Sequence, residues 1–350
     1  MDTNVSSATR YGGDQTADMP SDRTFVTELA TALGMVGNDE LASVLTEHSP
    51  ALVNLGSDDW DRLTHLWETG AYEPEFWAGF LNGRAFFRAS DALRNRQPQS
   101  IEWTGGRQAP GDEVVPADLR IDHVYLVSCK YLSRILHNSS PTHLFEHLLT
   151  RTSAQDARDW YQRVAPSEYQ QLYLECVSAV AQVHLPEQAV DLSVPQRRYL
   201  AEALRGKWPV GAANAYADLC STVAERTAAA WRARINKRNA EAVLWRLLRI
   251  GSAPYFILGT SPSGSMRLRV DTPWDWRQAY QLRHFEVATQ PAGQPRVGWS
   301  AEYEVRRSST ERTVCGHVEI RWSHGRFAQP PEAKVYLDTA HEDVPGYHGL

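Results

Sequence analysis

The chain of 350 residues sets 36 lysines and arginines against 42 aspartates and glutamates, a net charge of -6, with 42% hydrophobic and 22% charged residues. These proportions exclude global disorder, collagen and coiled-coil arrays, and at roughly 150 residues per domain they allow two or three domains. With an acidic balance, any nucleic acid must be held by a local basic patch and not by the overall field.

Residues 1–22 are rich in Ser, Thr, Asp and Gly and lack an apolar run, so they read as a disordered leader, neither signal peptide nor membrane anchor. From Phe25 to Gly70 apolar residues recur at helical spacing, broken at Gly37-Asn38 and at Asn54-Leu55-Gly56. A further helix is expected after Pro74, through the aromatic face Phe76, Phe80, Phe86 and Phe87 to a stop at Pro98. Three short strands follow at 100–104, 117–122 and 123–131, the last two joined by a tight hairpin at Ile121-Asp122-His123-Val124. Gly105-Gly106 and Pro110-Gly111-Asp112 are turn signals between the first two. Helical pattern returns after Pro141 and dominates from about 154 to 250, with breaks at Pro166, Pro186, Pro195 and Pro209. The last hundred residues alternate like strands at 254–258, 266–270, 285–288, 297–305 and 314–322. The expected organisation is thus a leader (1–22), a mixed α+β domain (23–150), a helical region (151–250) and a β-rich C-terminal module (251–350).

Chemistry concentrates in the hairpin. Asp118 stands near the start of one strand and Lys130 near the end of the next, and the two-residue strand period turns Ser128 and Lys130 to one face and Cys129 to the other. A lysine beside a carboxylate is costly inside a core, so the pair points to solvent or substrate. The four cysteines, Cys129, Cys176, Cys220 and Cys315, form no C-x-x-C pair, which fits reduced thiols in a cytoplasm.

Pro116-Ala-Asp118 on one strand, Ser128-Cys-Lys130 on the next and a helix ahead of the three strands resemble the PD-(D/E)xK nuclease superfamily, to which many restriction endonucleases belong. The resemblance covers about Pro74 to Leu149. It implies a restriction-endonuclease-like α/β core and a Mg²⁺-dependent DNA endonuclease or nickase. In that reading Asp118 is a metal ligand, and Lys130 activates or positions the attacking water and steadies the developing charge. Ser128 stands where the family carries an acid, so a second carboxylate is expected elsewhere. Glu75 on the preceding helix fits the family position best, with Asp91, Glu102, Asp112 and Glu113 as the other candidates. The family also implies a bacterial restriction or phage-defence setting, with DNA and protein subunits of such a system as partners and oligomeric state, dimer included, left open. The competing class is a non-catalytic DNA-binding or assembly subunit that keeps the fold.

Outside the hairpin, Arg134 beside His137, Asn138 and Ser139 is a candidate phosphate contact. Arg232, Arg234, Lys237 and Arg238 form the densest basic run, suited to a DNA backbone or to a solvated helix face. Trp322, His324, Arg326 and Phe327 make a candidate base-reading surface, because aromatics stack on bases and arginine reads guanine edges. His317, Glu319, His324, Asp338 and His341 have no recognised metal-ligand spacing. No phosphate-binding G-x-x-x-x-G-K-[ST], dinucleotide G-x-G-x-x-G or G-x-S-x-G elbow occurs, so ATPase, nicotinamide and serine-triad chemistry lose support.

Overall fold

The computed structural model describes residues 21–105, 117–147, 159–180, 184–251, 253–261, 264–290 and 293–350. The expected leader therefore lies almost wholly outside the described residues, as do Pro116, Asp112, Glu113 and the Pro110-Gly111-Asp112 turn.

The chain begins with α1 (Asp22–Gly34), α2 (Leu41–Glu47), β1 (Leu52–Val53), α3 (Ser57–Glu68) and α4 (Glu73–Arg88). The strands β2 (Ile101–Trp103), β3 (Leu119–Ile121), β4 (Tyr125–Tyr131) and β5 (Ile135–Ser139) follow. A helical stretch holds α5 (Trp160–Val164), α6 (Pro166–Ala179), α7 (Val194–Ala203), α8 (Val210–Arg234) and α9 (Ala240–Leu247). Then come β6 (Tyr255–Ser261), β7 (Gly264–Val270), α10 (Pro273–Ala279), β8 (Tyr280–Thr289), β9 (Arg296–Val305), β10 (Thr310–Arg321), β11 (Glu332–Leu337) and β12 (Tyr347–Gly349).

The architecture is mixed α+β with two sheets. A seven-stranded sheet runs β1-β2-β3-β4-β6-β7-β12, and a five-stranded antiparallel sheet runs β5-β11-β10-β9-β8. The first sheet is mixed, since β1 pairs with β2 and β4 with β6 in parallel. The segment 251–350 is shared: β6, β7 and β12 complete the first sheet, while β8 to β11 build the second. Its partition follows pairing with β4, a long-range contact that periodicity does not encode. Pro166 and Pro195 stand in the first turns of α6 and α7, where a missing N–H costs nothing, so they open helices where breaks were expected.

Two features of local sequence set the site. At the β3–β4 hairpin Asp122 and His123 take φ of 53° and 58°, a left-handed pair closed by the Val124 N–H on the Ile121 carbonyl at 3.0 Å, and Val124 is one extra residue before Ile121 pairs with Tyr125. The Asp122 carboxylate accepts from the backbone N–H of Gln99 and Ser100 at 2.7 and 3.0 Å, which ties the turn to the chain entering β2. Behind the sheet, α1 lies against α4 at glycine contacts: a Cβ on Gly83 would fall 2.0 Å from the Thr31 carbonyl oxygen, and one on Gly34 2.2 Å from that of Phe80. This close approach seats α1 under β4 and β2. Phe25, Leu29, Leu33, Phe76, Phe80, Phe86, Val127, Cys129, Phe256 and Leu258 form that side's core. Tyr255, Ile257 and the partly buried Leu126 pack on the opposite face, in the core shared with the helical stretch and the second sheet.

Candidate functional site

Antiparallel register sets Leu119 opposite Val127, which brings Asp118 to the level of Ser128. Here the ladder is replaced by a side chain: Asp118 Oδ2 accepts from the Cys129 backbone N–H at 2.6 Å and from Ser128 Oγ at 3.1 Å. Thr104 N–H closes on the Asp118 carbonyl from β2 at 3.1 Å. Asp118 is thereby fixed from both neighbouring strands. Ser128, the departure from an acidic residue, serves as a hydroxyl donor that orients Asp118.

Lys130 shares the Ser128 face and sits beside Gly259 on β6. A Cβ at Gly259 would come 2.7 Å from Lys130 Cβ and 2.3 Å from its carbonyl oxygen, so this glycine makes the room the lysine occupies. Burial, and secondarily the Arg249 charge, hold the Lys130 ammonium below its usual range against the opposing pull of Asp118. His137 on β5 is likewise held well below its usual range by burial, then by Arg249 and Arg246. Among the described residues Arg249 Nε and His137 Nε2 are buried with no hydrogen-bond partner. A buried arginine with an unsatisfied N–H, next to a neutral imidazole and a lysine near a carboxylate, leaves donors free for an anion.

The acid that shares Asp118's field is Glu28 of α1. It is buried, and Trp103 Nε1–H donates to its Oε2 at 2.7 Å. Burial first, and the Asp118 charge second, push Glu28 up to about 8. Sequence pattern passes over Glu28 because an acid in a helix reads as a solvent-facing position. The signal available was that Phe25 to Gly34 otherwise contains no charged residue. Gly259 carried no signal, since its role depends on which strand pairs with β4.

Glu75, the expected second carboxylate, lies on the first turn of α4 and accepts from Arg23 Nε at 2.9 Å. Asp91 lies 3.7 Å from Arg269, and Glu102 accepts from Asn54 Nδ2 at 3.2 Å. Among the described residues no group of three or more His, Cys, Asp or Glu side chains is arranged to hold a metal ion. Two carboxylates, Asp118 and Glu28, are what this site offers. Mg²⁺ commonly takes one or two protein carboxylates and keeps several waters, so these two are the residues that would hold it. The raised proton affinity of Glu28 beside Asp118 is what a cation shared by the two would relieve.

The remaining candidates divide. Arg134 is exposed in the turn between β4 and β5. Arg232 donates to the Val287 carbonyl at 2.7 Å, Arg234 pairs with Glu146 at 3.1 Å, and Arg326 donates to the carbonyls of Leu204 and Gly206, so these three hold the fold together where backbone-phosphate contacts (Arg232, Arg234) and base reading (Arg326) were expected. Lys237 and Arg238 are exposed and line a cleft of about 660 Å³ together with Arg277, Arg283, His284 and Arg306. In the tail His317 pairs with Asp338 at 2.8 Å and stacks on Tyr336, and His324 lies 3.5 Å from Glu332, so no metal cluster forms there among the described residues. No helix among the described residues is long and apolar enough to cross a membrane. Comparison with protein-family models, with curated proteins and with solved structures finds no match to this chain.

Proposed function

We propose that the chain is a divalent-cation-dependent DNA endonuclease or nickase of the PD-(D/E)xK kind. The observation that carries this reading is the Asp118 carboxylate anchored on Ser128 and Cys129, with Lys130 two residues further along the same strand and Glu28 in its field. The order of helix, three antiparallel strands, Asp and Lys on the neighbouring pair agrees with the resemblance, with Glu28 taking the role given to Glu75. Asp118 and Glu28 would hold Mg²⁺, which when bound supplies Lewis-acid polarisation of the phosphodiester and a more acidic water. The protein's own part is positional. Ser128 and the Cys129 N–H fix Asp118, and Lys130, its proton affinity lowered by burial, orients the attacking water and takes up its proton or steadies the developing phosphorane charge. Arg249 adds positive potential behind Lys130. The exposed Lys237–Arg238 cleft would carry flanking backbone phosphates.

The test is conversion of supercoiled plasmid with Mg²⁺ or Mn²⁺. Asp118→Ala and Lys130→Ala are expected to cut roughly 10²- to 10³-fold more slowly while melting as the parent does. Activity persisting in EDTA, or undiminished in either purified variant, rules the site out. A second reading, a non-catalytic DNA-binding or assembly subunit, is favoured by Ser128, which leaves two carboxylates where three would bind metal more firmly. It is adopted if DNA binds with no cleavage under any divalent cation.

A further inference from the structure

We propose that a second cavity, far along the chain from Asp118, binds a nucleotide by sandwiching its base between Tyr216 and Trp322 and holding its phosphate on Lys334 and Arg321. The cavity lies between α7, the start of α8 and the β10–β11 connection. Its volume of about 440 Å³ falls within the range of roughly 300–1,000 Å³ typical of small-molecule sites.

Three aromatic side chains line it: Trp208, Tyr216 and Trp322. The Tyr216 and Trp322 rings are 22° from parallel with centroids 6.4 Å apart, so they must part by at least about 0.6 Å to admit a planar ring in contact on both faces, which needs ~7 Å. Trp208 is already engaged, with its ring 4.6 Å from that of Tyr216 and the Arg326 guanidinium 3.7 Å above it. It braces Tyr216. Arg326 in turn is locked by donating to the Leu204 and Gly206 carbonyls, which fixes the mouth of the cavity.

The charged lining is cationic throughout: Arg205, Arg321, Arg326 and Lys334, with no carboxylate among the described lining residues. All but Arg326 are already paired outside the cavity, Lys334 with Glu332 at 3.0 Å, Arg321 with Glu319 at 3.4 Å and Arg205 with Glu202 at 2.8 Å, so these carboxylates position the cations and a phosphate would share them. Gln294 accepts from the Tyr216 hydroxyl at 2.6 Å through Oε1, which leaves its amide N–H groups for a base edge. Among the described residues Trp322 Nε1 is buried without a partner. Stacking rings beside cations are the combination that takes a nucleic-acid base with its phosphate, because every base presents a π face and every nucleotide an anion. A purely anionic ligand would leave the parallel rings without a function.

The inference does not depend on the catalytic reading, since binding is measured by calorimetry in EDTA with Asp118→Ala as the background. Ligands are the four free deoxynucleoside monophosphates, the nucleosides, inorganic phosphate, and a duplex bearing one unpaired base beside the fully paired duplex. Binding of nucleotides that weakens about tenfold or more in Tyr216→Ala, is retained in Tyr216→Phe, and in Arg321→Gln falls for nucleotides but not for nucleosides supports the proposal. Preference for the duplex with an unpaired base identifies the source as a base drawn from DNA, and preference for the monophosphates identifies a free nucleotide. Equal affinity of parent and Tyr216→Ala, or inorganic phosphate competing as well as a nucleotide, overturns it. Should Tyr216→Ala fail to fold, the Arg321→Gln comparison of nucleotide with nucleoside decides in the same way.

Discussion

The surroundings of β4 in the first sheet and β9 to β11 of the second treat buried charge in different ways, although at the far edge of the first sheet the buried Asp271 is also held, between Arg269 and His348. Along β9 to β11 of the second sheet buried charges are paired with partners of opposite sign: Arg296 with Glu319 at 2.5 Å, His317 with Asp338 at 2.8 Å, Lys334 with Glu332 at 3.0 Å. Around β4 charge is not closed into ion pairs: Asp118 is held by Ser128 and the Cys129 N–H, Lys130 lies in the opposing fields of Asp118 and Arg249, and Glu28 takes a neutral indole N–H as its partner. Paired burial costs little net stability, whereas unpaired burial is unfavourable and persists where something other than stability is served. The contrast supports the proposed placement of chemistry beside β4 and of a ligand cavity at the rim of the second sheet.

Glu28→Gln probes the contrast hardest. A folded-state value of about 8 lies above the ordinary 4.5, so protonated Glu28 favours the fold. That contribution is complete below about 4.5, declines as pH rises, and is gone once pH passes about 8. In EDTA the parent should therefore lose stability between pH 5 and 8.5 by on the order of a few kcal/mol relative to Gln, so that the variant's melting temperature gains most at the alkaline end. Cleavage should meanwhile fall about 100-fold or more, and parent activity should rise with pH up to about 8 as Glu28 ionises. Thermal melts at two pH values, alongside plasmid assays, read both. A variant less stable than the parent at both pH values would show Glu28 to be a structural acid, like Glu319.

Much of this region was legible from residues alone. Asp122-His123 could be read as a tight turn between two alternating strands, but the register pairs Ile121 with Tyr125 and leaves Val124 as one extra residue, and it is this extra residue that brings Asp118 level with Ser128 and onto the face of Lys130. Other parts depend on distant pairing. β5, Ile-Leu-His-Asn-Ser, is short and half polar, and it becomes a strand only because β11 pairs with it. The division of 251–350 between sheets follows from β6 aligning with β4. Glu75 looked right by position on the preceding helix, but Arg23, 52 residues earlier, claims it, and Glu28 is chosen by the α1–α4 glycine contact. Side-chain partners of this kind are set by packing, which local pattern does not carry.

The glycine contact gives a second test. Gly83→Ala places a methyl against the Thr31 carbonyl, which cannot move without shifting α1, so a loss of about 1–3 kcal/mol is expected. Gly316→Ala in the second sheet is equally crowded, its Cβ falling 2.2 Å from the Tyr336 carbonyl oxygen. Under conditions where both variants remain folded by circular dichroism, Mg²⁺ binding should weaken in Gly83→Ala, because α1 carries Glu28, and stay at the parent level in Gly316→Ala. Equal loss in both would mean that the two sheets respond as one unit and that the contrast drawn between them does not reach function.

The smallest effect concerns the basic run at the end of α8, where two arginines are tied into the fold and two cations face solvent. Lys237 and Arg238 line the cleft with Arg277, Arg283 and Arg306, whereas Arg232 and Arg234 are spent on Val287 and Glu146. On duplex DNA, each phosphate that a cation no longer neutralises takes about 0.9 off the slope of log affinity against log salt. Lys237→Gln with Arg238→Gln should thus flatten that slope by about 1.8 and weaken binding only modestly at low salt. Arg232→Gln and Arg234→Gln should leave the slope where it was and lower the melting temperature, because they remove a bond to a backbone carbonyl and an ion pair. Anisotropy titrations across a salt series separate the two pairs. A slope that falls with Arg232 and Arg234 but not with Lys237 and Arg238 would move the DNA track from the cleft to the side of α8.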